Sequence, residues 1–302
     1  MSQGFTGSDK NTLLNHIVNG RLTLTSGTPV TTSDVTAATA IYFTPYKGNR
    51  IFLYNTTSTK WELFEFSEIS IAVPATTATN YDVWAYNSSG SVTLEVLAWT
   101  NATTRATAIA LQNGVYVKSG DASRRYLGSF RTTAVSGQTE DSETKRFIWN
   151  YYNRVARYLL KTESTTSWTY TSQTWRSLNN STTNRIELII GVLEDSLMLN
   201  CACTYTNAGT NSWGTLGIGE DTTSDNSIYL KGLFGNAGTT ANLAGNIFFN
   251  RIATEFYPSS IGYHYYQVVE QADSGTNTMT SYGNATSTLK ERTTGINGTI
   301  IG

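Results

Sequence analysis

From Arg21 onward the chain repeats one pattern: runs of strand length in which apolar and polar residues alternate, each closed by Gly, Asn, Ser or Pro. No amphipathic helical period separates them, and that combination specifies antiparallel sheets. "YDVWAYNSSGSVTLEVLAW" is the clearest instance. Tyr81, Val83 and Ala85 alternate with Asp82, Trp84 and Tyr86; Asn87 to Gly90 supply turn chemistry, and Val92, Leu94 and Val96 resume the period. Charged residues make up only 14% of the chain, well below the roughly 25% of typical soluble domains. Thr, Ser, Asn and Gly must therefore wet the surface, and Thr suits pleated sheets better than helices. The fold expected is all-β.

A chain of 302 residues exceeds the size at which one core stops growing, about 250 residues, so two modules are expected. Residues 1–20 lack a period and end in the Asn-Gly turn signal "VNGR", which reads as an N-terminal arm. Residues 21–135 read as a β-sandwich and residues 144–302 as a second, jelly-roll-like sandwich, with the polar "SGQTEDSETK" as the connection between them. The second module opens on "KRFIWNYYNRVAR", residues 145 to 157, where four rings and four cations share thirteen positions. As a strand it places Phe147, Trp149 and Tyr151 on one face, and Ile148 and Tyr152 on the other with Arg146 and Arg154. A helix is the rival reading, because Ile148, Tyr152, Val155 and Leu159 also follow a helical spacing. The poor helix propensity of the four aromatics and the β character of every neighbouring run favour the strand.

Few residue patterns in the chain carry chemistry. Net charge is −1, from 21 basic and 22 acidic residues, so no global field attracts a polyanion and nucleic-acid binding is not expected. Cys201 and Cys203 fall on one strand face, but a zinc site wants four ligands, and His16 and His264 are the only histidines. Two buried structural thiols are expected, with no metal and no cofactor. "GTLGIGEDTTSD" (Gly214 to Asp225) has the wrong glycine order for a dinucleotide fingerprint and reads as a strand and turn. Glu220, Asp221 and Asp225, like Glu194 and Asp195, read as solvated loop acids. Nucleophile-elbow, phosphate-loop and zinc-protease motifs are absent, and the chain is not expected to be an enzyme. The N-terminus has no signal-peptide pattern and no run is long and apolar enough to span a bilayer, so cytosolic synthesis without membrane insertion is expected.

Three blocks in the first half carry a resemblance: "NGRLTLTSGTPVTTSDVTAATAIYFTPYKGNRIFLY", "LAWTNATTRATAIALQNGVYVKSGDASRRYLGSFRTT" and "EDSETKRFIWNYYNRVAR". In this order they resemble a module of structural proteins of tailed bacteriophages, over about residues 19 to 157. The ending "TGINGTIIG" is similar to the closing strands of complement-head or tumour-necrosis-factor-like jelly rolls. These resemblances imply a virion component assembled in the host cytoplasm, displayed as a fibre, spike or head-decoration protein that contacts the host surface. They imply a homo-oligomer, a trimer before other states, with other phage structural proteins as partners. A capsid cement protein without a receptor role and a polysaccharide-degrading tailspike are the alternatives.

Two sets of residues follow as site expectations. The apolar "TIIG" ending is a liability unless something covers it, which places Ile296, Ile300 and Ile301 near a subunit interface. A host glycan would be met by a loop aromatic among amides. "TYTNAGTNSWGT" offers Tyr205, Trp213 and Asn211, with Asn207 and Ser212 beside them. Trp61, Trp84 and Trp99 lie inside alternating runs and are expected in the core.

Overall fold

Alternation becomes strand almost throughout. The computed structural model describes residues 15–208, 214–230, 247–272, 278–284 and 294–302, and among these there are 24 strands, two short 3₁₀ turns and no α-helix. The first eleven strands are β1 (Gly20–Thr23), β2 (Val35–Ala38), β3 (Ala40–Pro45), β4 (Arg50–Asn55), β5 (Lys60–Glu65), β6 (Ile69–Ala72), β7 (Asn80–Ser88), β8 (Ser91–Ala98), β9 (Ile109–Gln112), β10 (Val115–Lys118) and β11 (Asp121–Arg131). The middle of the chain supplies β12 (Thr139–Asp141), β13 (Lys145–Arg146), β14 (Ile148–Asn150), β15 (Ala156–Thr162), β16 (Trp168–Tyr170) and β17 (Arg176–Ser177). Then come β18 (Arg185–Ile190), β19 (Leu197–Asn207), β20 (Gly214–Glu220), β21 (Ile247–Phe256), β22 (Gly262–Ala272), β23 (Met279–Tyr282) and β24 (Gly295–Ile301).

In the first half, the sheet β8-β7-β11-β10-β9 carries β14 on β11 and packs with β1-β3-β6 and the β4-β5 ribbon. Leu22, Ile41, Phe43, Ile51, Val83, Leu94 and Phe130 form the core between them. The β7–β8 hairpin closes at Ser88↔Ser91. Its two turn residues, Ser89 and Gly90, both take positive φ, the backbone a right-twisted two-residue hairpin requires. Asn150 ties the layers: its side-chain amide accepts from Leu22 N–H at 2.7 Å and donates to Leu22 C=O at 3.1 Å, standing in for a strand partner of β1.

In the second half, β15-β24-β19-β23-β16, with β21 on β19, packs on a seven-stranded sheet ordered β17-β22-β18-β13-β12-β2, with β20 on β22. Leu159, Leu188, Leu199, Cys201, Ile218, Tyr266 and Ile296 fill the space between. The architecture is thus all-β and sandwich-like in both halves, as the alternation predicts.

Three expectations change. "SGQTEDSETK" is not a linker: Thr139, Glu140 and Asp141 are buried, β12 pairs with β2 of the first half, and β13 pairs in parallel with β18 of the second. Its acids are buried because cations neutralise them: Lys145 pairs with Glu140, and Arg146 and the more distant Arg157 pair with Asp141. The "KRFIWNYYNRVAR" stretch is not one long strand either; it breaks at Phe147 and again after Asn150, where Asn153 takes φ 52°. The facial alternation survives the break, with Ile148 and Tyr152 in the first core, and Trp149 and Tyr151 in a separate cluster with Trp84, Tyr126 and Ile189. Finally, strand alternation does not hold throughout: Ser227–Leu230, in the apolar run "SIYLKGLF" that reads as a strand from sequence, form a 3₁₀ turn.

Candidate functional site

The outward face of β15, β24 and β19 carries a groove. Register sets its shape. Tyr158, Thr299 and Met198 are partners across the three strands; the next outward rung is Leu160, Asn297 and Asn200, and the one after is Thr162, Gly295 and Ala202. Partners in register project to the same face, so bulk falls along the sheet from Tyr158 and Met198, both about half exposed, to a rung with almost no side chain. The step leaves an open groove of about 440 Å³, within the ~300–1,000 Å³ range of small-molecule sites. Gly295 has no room for a side chain: its φ is +152°, and an added Cβ would stand 2.2 Å from the Lys161 carbonyl oxygen.

None of the residues lining the groove is charged. Asn200 and Asn297 lie side by side in the middle rung, half-buried. β24 is hydrogen-bonded on both edges, to β15 and to β19, so nothing can add to it as a strand. Any ligand here must be held by side chains.

A second arrangement has the residue types of a nucleophilic triad. His264 Nδ1 lies 2.7 Å from Asp221 Oδ2, and Nε2 lies 3.3 Å from Ser260 Oγ. The geometry disables it as a base. Nε2 is also 2.9 Å from the Ser260 carbonyl oxygen, which can only accept, so Nε2 must carry its proton and has no lone pair for the hydroxyl. The ring is 1% exposed. Burial alone would lower the His264 pKa, but the hydrogen bond and charge of Asp221, the charge of Glu220 and the Ser260 carbonyl together raise it. The arrangement is a buried imidazolium clamp. Glu220 is therefore not the solvated acid the sequence implied: it is buried, and accepts from Ser259 N–H at 2.9 Å and from the Tyr266 hydroxyl at 3.2 Å. Asp221 is exposed, as expected of a loop acid, while it accepts from His264 and from Tyr265 N–H at 3.0 Å. Glu194 and Asp195 both pair with Arg154.

The seam between the halves holds the densest charge. Asp141 accepts from Arg146 and Arg157; Arg157 also donates to Thr31 C=O at 2.8 Å. Arg21 reaches Gly302 C=O at 3.0 Å and Pro29 C=O at 3.1 Å, and burial, followed by the nearby Arg157 charge, lowers its pKa to about 10. On the other side of the seam, Arg105 Nε donates to Asp82 at 2.8 Å and Arg105 Nη2 to Gly191 C=O at 2.7 Å. Burial pushes the Asp82 carboxyl up against the opposing pull of Arg105. Each of these arginines spends its donors on the fold.

The site residues named from sequence are scattered. Tyr205 is not in a loop: it lies in β19, is 2% exposed, and its hydroxyl donates to Gly214 C=O at 2.9 Å, so its ring faces the protein interior and offers no sugar a platform. Asn211, Ser212 and Trp213 lie outside the described residues. Ile296 and Ile300 are buried within this chain's own second core, and only Ile301 is partly exposed; the facing sheet, not a neighbouring subunit, covers the first two. Cys201 and Cys203 are buried thiols not joined in a disulfide, with burial raising the Cys203 pKa to about 12. Trp61, Trp84 and Trp99 are all in the interior. Arg154 lies over the rings of Trp149 and Tyr151 at 5.5 and 5.6 Å, closer to the aromatic face than a continuous strand would put it.

Sequence reasoning missed Tyr158, Asn200 and Asn297. The available signal was an Asn at an outward-facing position within otherwise apolar strands, in "LMLNCACTY" and "GINGTII". Only the register that places the two side by side gives it meaning.

Among the described residues no group of three or more metal-ligating side chains converges, and no helix is long and apolar enough to cross a membrane. No protein-family model matches the chain, and no curated protein matches it. Among solved structures it is similar to an insecticidal delta-endotoxin of Bacillus thuringiensis, at 8% identity and a TM-score of 0.24. That match covers 94% of this chain and 52% of the toxin chain, so the chain spans about half the toxin's length. A likeness this low carries no argument about fold or function.

Proposed function

We propose that the chain is a structural component of a bacteriophage virion, displayed on the particle surface as a homo-oligomer, with a trimer as the first expectation. The observation that carries the reading is the seven-stranded sheet to which both halves contribute strands. A sheet running from β2 through β12 and β13 to β18 passes load through backbone hydrogen bonds rather than through a linker, as a particle-mounted protein needs. The resemblance of residues 19 to 157 to tailed-phage structural proteins points the same way. The histidine clamp, which cannot act as a base, adds nothing to the tailspike alternative.

Peptide mass spectrometry of gradient-purified particles tests the proposal. The chain should co-purify with the major capsid protein at a fixed ratio through successive gradients. Recovery only in the soluble fraction of the lysate would refute it. Sedimentation of the isolated protein tests the oligomeric state: a trimer supports the full reading, and a monomer at micromolar concentration removes the trimer from it.

A further inference from the structure

We propose that the groove on the outward face of β15, β24 and β19 binds a neutral saccharide. The inference rests on the surface-display reading above for its biological setting, but its chemistry is independent of it. The groove has three kinds of wall. Tyr158 offers a half-exposed ring at one end, Asn200 and Asn297 offer two adjacent carboxamides across the middle, and Thr162 and Ala202 flank Gly295 at the open end.

Each competing ligand class meets an obstacle. An anion or cation would find no counter-charge, because none of the lining side chains is ionised. A purely apolar ligand would strip water from two carboxamides without replacing their hydrogen bonds, which is unfavourable. An extended peptide would need free backbone donors and acceptors, and β24 has spent both edges on its neighbours. A saccharide meets all three walls: its C–H face packs on the Tyr158 ring, and its hydroxyls both donate to and accept from carboxamides, each of which has one acceptor oxygen and two donors.

The test is a titration of isotope-labelled full-length protein with lactose, maltose, cellobiose and N,N′-diacetylchitobiose at millimolar concentrations, followed through the side-chain amide resonances of Asn200 and Asn297. At least one sugar should move both amides saturably. Ala202→Trp fills the groove from an outward-facing position, and Asn297→Ala removes one amide; each should weaken binding by about tenfold or more while the melting temperature stays unchanged. Binding undiminished in Ala202→Trp overturns the assignment, as does the absence of any shift in the wild-type protein. Sedimentation decides a further case: if the wild-type protein self-associates and Ala202→Trp is monomeric, the occupant is a second copy of the chain and the saccharide is refuted. Copies of the chain in purified particles without sugar binding would sink this inference alone; sugar binding without particle association would sink only the virion reading.

Discussion

Arg157 Nη2 donates to Asp141 Oδ2 at 2.7 Å, while Arg146 Nη1 takes the other carboxylate oxygen at 3.1 Å. One buried acid thus holds two arginines at the place where the chain passes from the first half to the second. Arg157 extends the link to Thr31 and Arg146 to the Tyr158 carbonyl, so four separate segments meet around one carboxylate.

Asp141→Ala leaves two largely buried guanidiniums without their acid, the situation in which breaking a buried pair costs most. The expected loss is about 3 to 5 kcal/mol, read as a lower midpoint in urea. An unchanged midpoint would mean that the cluster is solvated and contributes nothing.

Trp149→Ala should cost about 3 to 5 kcal/mol as a large-to-small change in a packed site. Trp149 is 2% exposed and shares its cluster with Trp84 and Tyr126 from the first half and Ile189 from the second. Gly191 lies against it so closely that an added Cβ would sit 2.3 Å from the ring. Gly191→Ala should therefore also destabilise; removing the indole relieves its part of the clash but leaves the Tyr126 hydroxyl 2.3 Å from the added Cβ, so the two substitutions together should cost less than their sum yet more than Trp149→Ala alone. Strict additivity in chemical denaturation would contradict this packing.

His264 should titrate above the ordinary imidazole value. A folded pKa raised above the unfolded one gives stability that is fully present below about pH 6.5, the unfolded value, and is lost as pH rises through the folded value. Asp221→Asn removes the charge but keeps an acceptor for Tyr265 N–H, so the ring's midpoint should fall and the decline in stability on its alkaline side should shrink. Imidazole NMR titration reads the first, and urea midpoints on either side of the transition read the second. An identical His264 midpoint in the variant would show that Asp221 is not the partner that matters.

Ile296→Ala should cost about 2 to 5 kcal/mol without altering the oligomeric state, because Ile296 faces the chain's own core at 2% exposure. Dissociation of an oligomer by this substitution at unchanged subunit stability would restore the interface role that the sequence implied.

The strands were legible because their chemistry is local. Alternation in residues 81 to 96 gives both the β7–β8 hairpin and its turn, and burial of Trp84 and Trp149 follows from the same periodicity. The connection between the halves was misread because burial of Asp141 depends on Arg157 and Thr31, partners that no local window contains. Tyr205 illustrates a related failure: its Gly- and Asn-rich neighbourhood resembles a loop, yet pairing with β21 and β23 extends β19 through it. The groove was invisible for a third reason. Its residues are unremarkable one strand at a time, and only the register of β15 and β19 against β24 aligns them.

Averaged electron cryomicroscopy of purified particles tests the proposed virion role most directly. The account predicts density for this two-sandwich body at a symmetry-repeated position on the particle surface, with the groove of β15, β24 and β19 facing outward. Particles whose every surface density is filled by other chains, or a copy placed with that face sealed against the shell, would contradict it.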